Sequence, residues 1–83
     1  MANQDEARRK LIILAGRVKK NVTTIAEDAK IDQAVQAGRI KNRSDVTRVL
    51  EESLNKSANE VNTVLASDDS DRLVDEIVGL LEK

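Results

Sequence analysis

Six residues in one short stretch, Arg39, Lys41, Arg43, Ser44, Asp45 and Arg48, have the types and spacing to hold an anion. Gly38 follows Ala34-Val35-Gln36-Ala37 and takes, at little steric cost, the left-handed conformation that ends a helix. The cations at 39, 41 and 43 then fall on a turn, and Ser44 is a good N-cap for a following helix. Asp45 suits the positive end of that helix dipole. Free amides at such a helix start, flanked by Arg43 and Arg48, make a phosphate site. The same residues also make an ordinary solvated joint between two helices.

Other chemistry is narrowed by what the chain lacks. It contains no His, Cys or Tyr, so the usual general acids, bases and activated nucleophiles are missing, and an enzyme is not expected. Asp68, Asp69 and Asp71 lack the glycine and distal glutamate of a calcium loop and read instead as an acidic turn capping a helix. No metal or cofactor is expected. Without Phe, Tyr or Trp there is no aromatic platform for single-stranded nucleic acid. The absence of cysteine excludes disulfides and is compatible with a cytoplasmic setting. Met1 to Lys10 has no signal-peptide pattern, and the apolar run from Leu11 to Gly16 is far too short to span a bilayer.

Eighty-three residues make one expected domain. Its core must come from eight Leu, six Ile and nine Val. That is a thin supply for so short a chain and leans toward a homo-oligomer sharing one core. Charge is unevenly placed. Residues 1–43 carry ten Lys/Arg against five Asp/Glu, and residues 44–83 carry four against ten, which gives +5 and −6 within a total of −1. Such a division points either to an anionic partner for the first half or to attraction between the halves.

The elements that must position these groups follow from periodicity. Asp5 caps a helix over 5–15, and Gly16 stops it. Ala7, Leu11 and Leu14 share a face, while Ile12 and Ile13 point elsewhere and call for cover on several sides. Over 17–23, Val18 and Val22 alternate with Arg17, Lys19, Asn21 and Thr23, the pattern of a short strand. A continuous helix competes with that strand, because Ala7, Leu11, Leu14, Val18, Val22, Ile25 and Ala29 step by three and four. Thr24 and Glu27 have capping-box spacing, which places a helix over 25–37. The stripe Val46, Val49, Leu50, Leu54, Ala58, Val61, Leu65 predicts one long helix over 45–66, and a final helix covers 69–82. The segment from Ala15 to Ile25 echoes the one from Ala37 to Val49; a composition this biased gives such echoes by chance, and a true duplication would make both segments helix-turn-helix joints.

The run from Thr24 to Leu54 resembles the ribbon-helix-helix family of small dimeric DNA-binding proteins. The residues that carry the likeness are Ile31 and Val35, then Ala37-Gly38-Arg39, Asn42-Arg43-Ser44-Asp45, and Arg48, Leu50 and Leu54. The resemblance implies a mostly α homodimer in which one short strand per chain pairs with its mate in the major groove. Lys19, Asn21 and Thr23 would then face bases of double-stranded DNA, and the amides around Ser44 and Asp45 would anchor phosphates. It further implies a transcriptional regulator or antitoxin-like repressor, whose acidic segment after Ser67 binds a protein partner. The alternative fold is an all-α helical bundle, an interaction or assembly protein that binds another protein and no nucleic acid.

Overall fold

Ala7, Leu11, Leu14 and Val18 share one face only if the chain stays helical past Gly16. It does. The computed structural model describes Ala2–Glu82, and among these residues there are five helices and no strand. Met1 and Lys83 of the expected domain lie outside the described residues. Helix α1 covers Ala2–Lys19, α2 Ile25–Gln36, α3 Arg43–Leu54, α4 Ala58–Leu65 and α5 Asp68–Leu81.

The strand expected over 17–23 is therefore absent, and with it the ribbon-helix-helix architecture. Arg17, Val18 and Lys19 form the last turn of α1, and Val18 is buried with Leu11 and Leu14. A lone strand would leave its amides and carbonyls unpaired, whereas continuing the helix satisfies them and buries Val18. Lys20 ends α1 in the left-handed region at φ 61°, and its amide and that of Asn21 both donate to the Gly16 carbonyl, at 2.8 and 3.3 Å. Gly16 thus supplies the accepting carbonyl of the cap from inside the helix and is not the stop itself. Asp5 lies in the first turn of α1 instead of capping it.

Thr24 and Glu27 form the expected capping box on α2. At its other end Gly38 adopts φ 70°; Gly38 N donates to Val35 O and Arg39 N to Ala34 O, both at 3.1 Å. Asn42 caps α3 in place of Ser44, its side-chain carbonyl accepting from Asp45 N at 3.1 Å. The long helix expected over 45–66 is two helices. Asn55 turns left-handed at φ 56°, and Ser57 and Glu60 form a second capping box that starts α4. Because Leu54, Ala58, Val61 and Leu65 keep helical spacing across the break, the stripe alone concealed it. Ser67 caps α5, whose first turn carries Asp68, Asp69 and Asp71.

Helix α1 packs against all four others and is the centre of the bundle. Fourteen of the 23 large aliphatics are buried, six more are packed partly buried against them, and three are exposed. The Cα radius of gyration is 11.2 Å, at or below the roughly 12 Å expected of a single folded chain of this length. One copy encloses its own core, so the packing argument for a shared one loses its force. The charge division is also met internally: Lys10 reaches Glu76 at 3.0 Å, and Arg43 forks between Asp71 and Asp75.

Candidate functional site

The residues expected to face bases instead build the joint between α1 and α2. Lys19 Nζ donates to the Val22 carbonyl at 3.2 Å and to Glu27 Oε1 at 2.9 Å. Glu27 Oε1 also accepts from Thr24 N at 2.8 Å, so one carboxylate oxygen ties the end of α1 to the cap of α2. These bonds, led by the one from Lys19, hold the Glu27 carboxyl below its ordinary pKa of 4.5. Asn21 Oδ1 accepts from Val22 N at 2.8 Å. Thr23 Oγ1 donates to Asp28 Oδ1 at 2.5 Å, closing the position where an apolar staple often sits. Lys19, Asn21 and Thr23 are thereby brought together, but by local bonds.

The expected phosphate contacts are largely engaged by carboxylates. Arg39 Nη2 lies 2.5 Å from Glu52 Oε1, and Arg48 Nη1 lies 3.6 Å from Asp45 Oδ1. The Arg43 guanidinium bonds Asp71 and Asp75. Asp45 Oδ2 also accepts from Lys41 N at 2.9 Å, which places a negative charge over the start of α3. An anion approaching there meets that carboxylate first. Ser44 is exposed within the first turn of α3, and Lys41 alone of the six is an exposed cation with no ion pair among the described residues.

Beside Arg43 and Ser44, a cleft is lined also by Thr47, Asn62, Leu65, Asp71 and Val74. Its polar groups bond one another: Thr47 Oγ1 donates to Asn62 Oδ1 at 3.3 Å. No hydroxyl there has a base beside it. Ser70 is buried, and its oxygen accepts from Arg17 Nη1 at 3.0 Å, which uses it as a tie between α5 and α1. No cluster of three acidic residues able to hold a metal occurs among the described residues. None of their helices is long and apolar enough to cross a membrane.

What the α1–α2 joint does present is apolar surface. Ile25 is 90% exposed, Val22 81% and Ile13 49%. Ile12, Ile13, Gly16 and Arg17 on α1 and Asn21, Val22 and Thr23 on the joint line a shallow furrow. Gly16 contributes no side chain, which leaves the furrow open; a Cβ there would sit 3.5 Å from the Asn21 carbonyl. The continuous-helix alternative put Val22 and Ile25 on the buried stripe and the strand put Val22 on its apolar side, so neither reading exposes this surface. The signal was present: a capping box at Thr24 and Glu27 requires a chain break before Ile25, and periodicity carries no information across a break.

No protein-family model, curated protein or solved structure matches this chain.

Proposed function

We propose that this chain is a non-catalytic helical module that binds another protein through the corner between α1 and α2. The observation that carries this reading is the exposure of Ile13, Val22 and Ile25 on a bundle that otherwise buries or half-buries its large aliphatics. Single exposed aliphatics are common on any protein. Here two of them flank one furrow and the third lies three residues on, a grouping that marks a contact surface. The turn itself does not require them: Val22 enters it through its amide and carbonyl, which any residue other than proline supplies. The lack of His, Cys and Tyr, the side chains that most often act as general acids, bases and activated nucleophiles, supports the non-catalytic part.

Duplex-DNA binding is the second reading that the sequence suggests, and no geometric observation favours it. It relied on a paired strand, and most of the cations assigned to phosphates lie against carboxylates.

The test is a photo-crosslinking side chain placed at Val22 in cells that make the protein, with Asn59, exposed on α4, as the control position. A protein adduct from position 22 and none from 59 is the expected outcome. No adduct, or the same adducts from both positions, removes the reading. Titration of a labelled duplex at low salt, on the order of 50 mM, is expected to give no saturable binding. Binding lost on Lys41→Ala would return the chain to the nucleic-acid class.

A further inference from the structure

The chemistry around the furrow narrows the partner, and we infer that the α1–α2 corner receives an acidic amphipathic helix of another protein. The inference rests on the protein-binding reading above. Arg9, Ile13 and Arg17 are spaced by four along α1, and Lys20 follows one turn after Gly16, so cations bracket the apolar row. Arg17 and Lys20 are exposed and have no ion pair among the described residues, and Arg9 is 70% exposed with Asp5 only at 3.9 Å. Lys19 and Glu27 neutralise each other. On the other side, Asp28 is the one carboxylate at the joint without an ion pair, and it accepts the Thr23 hydroxyl. Arg9, Arg17 and Lys20 against Asp5 and Asp28 leave the corner with one net positive charge.

Two common modes of peptide capture are excluded at this corner. Strand addition needs a sheet edge, and the described residues contain no strand. Proline-rich segments need a groove lined by aromatics, and the chain has none. A furrow lined on α1 by Ile12, Ile13, Gly16 and Arg17, about a turn and a half of helix, and on the joint by Asn21, Val22 and Thr23 fits a further mode, an amphipathic helix that lays its apolar face against it. Charge selects among occupants. A second copy docked on the same corner would set one positive face against another, which repel. An anionic membrane calls for a wide apolar face, whereas this one is a narrow row beside Asp28. A partner with leucines on one face and carboxylates along its borders satisfies both the row and the cations.

The experiment titrates the intact chain with a synthetic peptide of about 18 residues, long enough to hold a helix. Leucines occupy its anchor positions and glutamates its flanks. Amide shifts of Ile13, Gly16 and Val22 are followed by NMR. Saturable shifts at these residues are expected, with binding at least about tenfold weaker for a scrambled peptide and for the same peptide with lysine in place of glutamate. Ile13→Ser combined with Val22→Ser, and separately Lys20→Glu, should each weaken binding about tenfold, a loss of about 1.4 kcal/mol. All three side chains are exposed, so these variants should keep the helical circular dichroism of the parent. Equal binding of the lysine peptide, or shifts confined to other helices, overturns the inference. So does association of the corner with phosphatidylserine vesicles or with a second copy while the acidic peptide fails. A protein adduct at position 22 together with a failed peptide titration sinks the acidic-helix inference alone and leaves the protein-binding reading intact.

Discussion

Asn42 and Ser44 are both cap-forming residue types two positions apart, and only one of them caps α3. The carbonyl of Asn42 accepts from Asp45 N, while Ser44 stands exposed one residue inside the helix. Asn42→Ala should therefore cost about 1 kcal/mol in urea unfolding, and Ser44→Ala less than about 0.5 kcal/mol; the reverse order would reinstate Ser44 as the cap. Two glycines should respond with opposite signs. Gly38 sits at φ 70° with open space around it, so Gly38→Ala is destabilised by backbone strain alone, about 1 kcal/mol. Gly16 lies inside α1, where a Cβ makes only ordinary contact, so Gly16→Ala should raise stability by about 0.5 to 1 kcal/mol. Both are read from denaturation midpoints at constant slope. Glu27 adds a pH dependence. Its folded pKa lies below 4.5, mainly through Lys19, so its contribution is complete above 4.5 and disappears as pH falls through the depressed folded value. Glu27→Gln should be less stable than the parent at neutral pH by about 0.5 kcal/mol. The gap should close on acidification, and a gap that persists at low pH would rule out the charge as its source.

Among the elements, the two joints flanking α2 show what a single sequence supports. Both carry a left-handed residue after the preceding helix, Lys20 at φ 61° and Gly38 at φ 70°. The echo between 15–25 and 37–49 thus falls on two interhelix joints, although its glycines are not equivalent, since Gly16 stays inside α1. Left-handed lysine is uncommon, which is why the sequence offered Gly16 as the stop and a strand beyond it. The break at Asn55 carries a local signal: asparagine tolerates the left-handed region, and Ser57 with Glu60 repeats the spacing seen at Thr24 and Glu27. The ion pairs from Arg43 to Asp71 and Asp75 join α3 to α5 but are half exposed. Arg43→Ala should cost less than about 1 kcal/mol, and the cost should shrink as salt is added. A large, salt-insensitive loss would mean that Arg43 holds the bundle together by packing instead.

At the scale of the whole molecule, stability and surface are separable. The core runs through all five helices and includes Leu11, Leu14, Ile31, Leu50 and Ile77, none of which is more than 2% exposed. Leu50→Ala should cost about 2 to 5 kcal/mol. By contrast, Val22→Ser combined with Ile25→Ser should change stability by no more than about 0.5 kcal/mol, because both side chains already stand in water. Thermal unfolding of these variants decides whether the corner contributes to the stability of the bundle. A large loss would show that Val22 and Ile25 are buried in the state that unfolds.

By itself, the sequence determined the buried stripes Ala7, Leu11 and Leu14 of α1, Ile31 and Val35 of α2, and Val46, Val49, Leu50 and Leu54 of α3, where the Thr24 capping box and Gly38 punctuate the chain, and that the common catalytic side chains are missing. Those are properties of spacing and residue type within one or two turns. Only the tertiary structure decided that Val18 continues α1 rather than starting a strand, since helix and strand periods both fit so short a run and burial against other helices selected between them. It also decided the fate of the charges. Arg43 looked free to hold a phosphate because its partners, Asp71 and Asp75, lie 28 and 32 residues away. Pairing at that separation is a consequence of packing, and no local pattern encodes it.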